Sequence, residues 1–190
     1  MINLTPKISA ELGHIGQSGS LFQALGKPTF FSKNEYLQEA GKPVKSFFYM
    51  TSGLVKCFYI HEDKEVVLRL MTDNSAVLGY SGYITGGASS EYIQCLEPCK
   101  GIMVPIEPFE AHRTQNPKID LMFRYVAEQH YLSLERRLMM LHHKTVKERY
   151  LFFCRTMEKK IVSDTPMHCI ASYLGVTPES FSRMKRQLNK

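Results

Sequence analysis

A chain of 190 residues with 44% hydrophobic and 22% charged content is long enough to bury a core as one domain or two small ones, which excludes disordered and fibrous classes. Residues 1–20 lack a basic start followed by an apolar block, and no apolar run approaches the ~18 residues of a spanning helix. The expectation is a cytoplasmic protein with no membrane contact and five reduced cysteines. The net charge of +6 is unevenly placed, because residues 142–190 hold ten Lys/Arg against four Asp/Glu while the preceding residues hold fourteen of each. That is the balance of a phosphate-binding module joined to a neutral body.

Residues 1–28 form a polar arm in which Ile8, Leu12, Leu21, Phe22 and Leu25 suffice for a short helix or two. From Thr29 to about Pro105 the texture is β. Phe30–Phe31, Ser46–Met50, Leu54–Ile60, Glu65–Met71, Tyr92–Cys95 and Gly101–Val104 are short and rich in aromatic and β-branched residues. Thr51-Ser52-Gly53 and His61-Glu62-Asp63-Lys64 read as hairpin turns. Short strands at this spacing predict an antiparallel sandwich or roll. The stretch containing Gly79, Gly82, Gly86 and Gly87 reads as a loop whose amides could hold an anion, and Cys95 and Cys99 as buried apolar thiols.

After Pro108 the period becomes helical. One stripe runs Phe123, Ala127, Tyr131, Leu134, Leu138 and Leu141, and a second Leu121, Tyr125, Leu132 and Met139. Two apolar stripes predict two partners, the β body and a second copy of the chain, with Tyr125, Leu132, Leu134, Leu138 and Met139 at the dimer contact. His142-His143-Lys144 marks a break. Thr145 and Glu148 have capping-box spacing and start a helix expected to run through about Lys159.

The C-terminal residues read as a helix-turn-helix. Taking Ala171 as the small residue at the helix crossing, Ile170, Leu174, Val176, Phe181 and Met184 fall on positions that must be buried, and Gly175 falls at the turn. Thr177 is a candidate N-cap and Pro178 a first helical residue. Phe181, Met184 and Leu188 make an inward stripe that leaves Glu179, Ser182, Arg183 and Arg186 outward. Arg pairs with guanine, Glu accepts from a cytosine amino group, and Ser serves a base edge or a phosphate.

This order of parts resembles the Crp/Fnr family of bacterial transcription regulators. The most specific likeness is Glu179-Ser-Phe-Ser182-Arg183, which is similar to the Glu-x-x-Ser-Arg of the recognition helix in the fumarate-nitrate branch. Gly41, Gly53 and Gly79 match in the β region, with Gly41 expected just before a hairpin. The resemblance implies an α+β chain: a jelly-roll-like antiparallel β-roll over residues 1–108, a dimerisation helix over 109–143, and a helix-turn-helix over 144–190. It further implies a homodimer on double-stranded DNA, with RNA polymerase as a further partner, and no enzymatic activity. Glu179, Ser182 and Arg183 would contact bases, and Thr177, Lys185, Arg186, Lys190, Lys144 and Lys147 phosphates.

Three departures qualify the likeness. Cyclic-AMP-binding members follow the glycine with a Glu for the ribose hydroxyl and place Arg-Ser or Arg-Thr on the cyclic phosphate. Here Gly79-Tyr80 and Ser89-Ser90-Glu91 stand instead, so an effector pocket at Gly79, Tyr80, Ser89, Ser90 and Glu91 is expected not to take cyclic AMP in the usual way. No cysteine precedes Cys57 to hold an iron–sulfur cluster, so no cofactor is expected and any effector is an unidentified small molecule. The chain also stops two residues after Leu188 without the family's two-stranded wing, which implies weaker nonspecific affinity. Two rivals stand beside the regulator. One is a ligand- or protein-binding roll with a degenerate DNA-binding tail. The other is a metalloenzyme of the double-stranded β-helix type, for which His61 is the only strand-region histidine.

Overall fold

The computed structural model describes residues 18–188. A helix, α1 (Ser18–Leu25), leads into β1 (Lys27–Phe31), β2 (Tyr36–Gln38), β3 (Ser46–Ser52), β4 (Leu54–His61), β5 (Lys64–Thr72) and β6 (Ser75–Val77). A short helix, α2 (Tyr80–Thr85), separates these from β7 (Tyr92–Cys95) and β8 (Cys99–Pro105). The strands pair antiparallel in two sheets of order β1-β8-β3-β6 and β2-β7-β4-β5, which is the predicted roll. Their inward side chains, among them Phe48, Met50, Val55, Val77, Ile93, Cys95 and Cys99, form one apolar cluster. Cys95 and Cys99 are free, buried thiols.

Neither glycine expected at a hairpin makes one. The strands flanking Gly41, β2 and β3, lie in different sheets, as do β3 and β4 on either side of Thr51–Gly53. The chain crosses between sheets at both points. Gly53 (φ +143) is required by close packing, since a Cβ there would stand 2.5 Å from Cys99 Sγ. The turn at His61–Lys64 is a hairpin as predicted, with Glu62 (φ 47) and Asp63 (φ 59) both left-handed, the type I′ geometry that matches strand twist. Strands β2 and β6, three residues each, are too short to show a period. The glycine-rich stretch expected as a loop contains α2, which ends on Gly86 in the left-handed conformation.

Six helices follow: α3 (Ile106–Arg113), α4 (Pro117–Leu141), α5 (Val146–Thr156), α6 (Lys159–Asp164), α7 (Met167–Tyr173) and α8 (Pro178–Leu188). The face of α4 on the roll differs from the predicted stripe. Ile119 and Met140 are buried and Phe123 and Val126 pack on the roll, whereas Tyr131, Leu134 and Leu138 of the same predicted stripe are exposed. An apolar set picked out by residue type drifts around the helix, because the face on the roll includes the polar, half-buried His130. The capping box at the start of α5 forms, with the Thr145 hydroxyl accepting from Glu148 N–H and the Glu148 carboxylate accepting from Thr145 N–H. The helix ends earlier than expected: Met157 is extended, and the chain restarts as α6.

The C-terminal helices share a core with the roll. Leu54, Phe58, Val67 and Leu70 of the outer face of β4 and β5 join Phe153, Ile161, Ile170, Leu174, Phe181 and Met184 in one cluster. Each such side chain contributes about 1.5–3 kcal/mol on burial. Two polar ties fix the register of this contact. Lys160 on α6 reaches Asp73 at 2.7 Å and Glu97 at 2.8 Å. Ser172 on α7 accepts from Val67 N–H at 2.9 Å and donates to Glu65 C=O at 2.7 Å, satisfying the free edge of β5.

Candidate nucleic-acid interface

The turn between α7 and α8 follows from its residues. Gly175 adopts φ +68, and the bonds Val176 N–H to Ala171 C=O and Gly175 N–H to Ser172 C=O, both 3.0 Å, complete a Schellman motif. Thr177 Oγ1 accepts from Ser180 N–H at 3.2 Å, and Pro178 begins α8 without losing a helical bond. Ile170, Ala171, Leu174, Phe181 and Met184 are buried as predicted, and Val176 and Leu188 pack at the cluster's edge. That burial leaves Glu179, Arg183 and Arg186 exposed on α8 and Ser182 half-buried, its hydroxyl accepting from Arg186 Nη2 at 3.5 Å. The main-chain N–H of Glu179 and the Thr177 hydroxyl hold the Glu179 carboxyl below the usual carboxylate range, so it presents a charge.

The remaining basic residues divide. Lys144 and Lys147 are exposed beside the start of α5. Lys185 is turned onto Tyr150, donating to its hydroxyl at 2.9 Å with the ammonium 4.7 Å from the ring centre. Lys190 lies outside the described residues. A residue that sequence reasoning missed, Arg149, ties the parts together: Nε donates to His143 C=O and Nη1 to Leu174 C=O, each at 3.0 Å. It closes the carbonyl end of α7 against the hinge between α4 and α5.

The residues expected at an effector pocket do not converge on open space. Gly79 faces Ser89, whose Oγ would stand 2.8 Å from an added Cβ. Tyr80 lies over the His130 ring at 4.5 Å and against Phe123 at 6.3 Å. Ser89 is buried, while Ser90 is exposed and within 3.3 Å of Ser81 Oγ. Glu91 is buried and taken up by Arg69, a cation absent from the sequence-level site although its place in Val66-Val67-Leu68-Arg69-Leu70 is the signal that could have found it. A cavity of about 500 Å³ lies instead beside Gly82, Gly86 and Gly87 of the glycine-rich stretch, with Tyr83, Glu110 and Arg113 in its lining. Its polar groups are already engaged, Tyr83 with Glu110 and Arg113 with Glu110 and Asp120.

Residues 28–116 match the model of the cyclic nucleotide-binding domain. Electron transport regulator A of Shewanella oneidensis is 23% identical over 168 residues, covering 83% of this chain and 67% of its own length. FixK2 from Bradyrhizobium japonicum superposes with a TM-score of 0.73 at 16% identity, over 86% of this chain and 84% of that one. A protein of Eubacterium rectale assigned to the Crp/Fnr regulators gives 0.71 at 13% identity, over 90% and 81%. The chain therefore has the fold of these regulators, with residues 28–116 similar to the cyclic nucleotide-binding domain.

On the Crp/Fnr fold, α4 is the long helix after the roll, and it carries an uncovered apolar strip. Tyr131 (66% exposed), Leu134 (43%), Leu138 (59%) and Met139 (54%) are all too exposed for large apolar residues on a helix otherwise packed in a core. Tyr125 and Leu132, the other residues expected at a dimer contact, are half-buried. No helix among the described residues is long and apolar enough to cross a membrane, and no three His, Cys, Asp or Glu side chains among them gather as metal ligands.

Proposed function

We propose that the chain is a homodimeric, cytoplasmic transcription regulator of the Crp/Fnr type that reads a pseudo-palindromic DNA site. The observation that carries this reading is α8. Phe181 and Met184 anchor the helix in the shared core, so Glu179, Ser182 and Arg183 stand together on its outer face, beside a Schellman turn and an N-cap that set its direction. Two such helices related by a two-fold axis along the strip Tyr131, Leu134, Leu138 and Met139 would enter successive major grooves ~34 Å apart. Lys144, Lys147, Arg186 and the Thr177 end of α8 supply the phosphate grip, with Lys190 added from outside the described residues. Lys185 is committed to Tyr150 and contributes only if it lets go.

In this reading residues 1–108 are a sensor roll, 109–143 the dimer helix and 144–190 the DNA-binding part, and the roll works without cyclic AMP. Tyr80 stacked on His130 and Glu91 paired with Arg69 support that last point, since both side chains are spent inside the protein. The test is selection of bound duplexes from a random pool by the full-length chain. The reading expects an inverted repeat with half-sites one helical turn apart. Recovery of sequences with no common motif would favour a roll whose basic tail no longer reads DNA.

A further inference from the structure

We infer that Glu91 is a built-in ligand: its carboxylate fills an anion-binding site made by Arg69 inside the roll, and the filled site holds α4 on the roll in place of a diffusible effector. The inference concerns the roll and α4 alone and stands whether or not α8 reads DNA.

Three segments distant in sequence meet at this point. The bulge in β5 that skips Leu68 sets Arg69 opposite Cys57, and the guanidinium lies in the interior with its side chain 4% exposed. Arg69 Nη2 donates to both oxygens of Glu91 at 2.6 Å, and Glu91 is 7% exposed. Arg69 Nη1 points at His130 Nδ1 on α4, 2.7 Å away. Since a guanidinium has only donors, Nδ1 accepts, and the imidazole is neutral with its proton on Nε2. Burial, and then the Arg69 charge, lower its pKa to about 4, consistent with that state. One cation and one anion are therefore balanced, and the cation's second nitrogen is what reaches the long helix.

The carboxylate arrives as a ligand does, on a pinned mount at the mouth of a strand. Ser89 Oγ donates to Glu91 C=O at 2.8 Å and accepts from Glu91 N–H at 3.2 Å. Ser89 is itself held by Gly41 N–H on its carbonyl at 2.8 Å and by Lys42 C=O on its N–H at 2.9 Å. Above it, Tyr80 covers His130 and closes the site. A buried ion pair contributes little stability beyond what an apolar pair of similar volume would, so its worth is in position. Here it orients Arg69 toward α4. Truncating Glu91 to Ala removes one methylene and one carboxylate, which is the composition of acetate, and leaves a dry guanidinium with a space of that shape. The ligand class the site takes is thus a small monocarboxylate, and in the intact chain the place is occupied.

The test uses full-length Glu91→Ala and Glu91→Gln, titrated with sodium acetate against sodium chloride at equal ionic strength. Thermal midpoints and amide exchange along α4 are read. In Glu91→Ala the midpoint falls and α4 amides around His130 exchange roughly tenfold faster or more. Acetate reverses both changes saturably and chloride does not. Glu91→Gln, which fills the space without a charge, is not rescued, and the unaltered chain responds to neither salt. Where Glu91→Ala does not fold on expression, recovery of folded chain on dilution from urea replaces the midpoint, with acetate expected to raise it over chloride. Equal effects of acetate and chloride, equal rescue of both variants, or unchanged α4 exchange in Glu91→Ala would each overturn the inference.

Discussion

Ser172→Ala removes a single oxygen that ties the C-terminal helices to the edge of β5. That oxygen satisfies two main-chain groups in a different part of the chain, Val67 N–H at 2.9 Å and Glu65 C=O at 2.7 Å. The two losses are unequal. Glu65 is exposed, so water takes the place of the hydroxyl on its carbonyl at little cost. Val67 is fully buried, and its N–H has no other strand to meet because β5 is the last strand of its sheet. An unpaired buried donor costs about 1–3 kcal/mol, and alanine's better helix propensity returns a few tenths, so the expected destabilisation is about 1–2 kcal/mol. Urea unfolding measures the total, and amide exchange locates it: the Val67 amide should exchange faster by a factor near the equilibrium loss, about 5- to 30-fold. Ser172→Thr keeps the oxygen and should retain most of the protection. Unchanged exchange at Val67 in Ser172→Ala would show that the edge of β5 is satisfied otherwise, and the tie between the roll and α7 would have to be withdrawn.

Leu138→Glu places a charge on the strip of α4 that the dimer reading covers, so light scattering should report a monomer with unchanged far-UV circular dichroism; a dimer of undiminished stability would refute the contact. His130 gives a pH dependence whose sign is fixed by burial and the Arg69 charge, which lower its pKa from the ordinary histidine value of 6.5 to about 4. The unfolded chain binds a proton on this group at higher pH than the folded chain does. Stability from it is complete above 6.5, falls as pH drops toward 4, and levels off below, by on the order of 1–2 kcal/mol after allowing for partial exposure. His130→Gln should flatten urea-unfolding free energies between pH 7 and 4 by that amount. Thr145→Ala removes half of a reciprocal cap and should cost about 1 kcal/mol, read as a lower thermal midpoint with greater fraying at Val146–Glu148.

Local chemistry was legible where a residue's own backbone preference decides the structure. Gly175, Thr177 and Pro178 announce their turn, and Thr145 with Glu148 announces its cap. The strands of the roll show through their aromatic and β-branched runs, whereas β2 and β6 have too few residues to carry a period. Gly41 and Gly53 look like hairpin glycines because a sheet crossing and a hairpin ask for the same backbone freedom; only the sheet order separates them. On α4 the apolar pattern misassigns the packed face because the half-buried His130 lies there beside buried Met140, and a histidine gives no apolar signal. An arginine within the apolar run Val66–Leu70 signals a buried cation, but its pairing with Glu91 is not legible in the sequence. Glu91 stands in the segment expected to meet an effector, and its partner lies 22 residues away on a strand whose bulge resets which side chains face inward.

The measurement closest to the central claim is a titration of Arg183→Ala and the unaltered chain against a selected duplex and against the same duplex with each base pair of one half-site exchanged in turn. If α8 reads bases through Glu179, Ser182 and Arg183, the variant loses about 1–3 kcal/mol on the selected site and becomes indifferent to exchange at one base pair, while discrimination elsewhere persists. An equal loss on every duplex, with the salt slope lowered by about one charge and discrimination intact, would make Arg183 a phosphate contact and contradict the assignment of α8 as the reading helix.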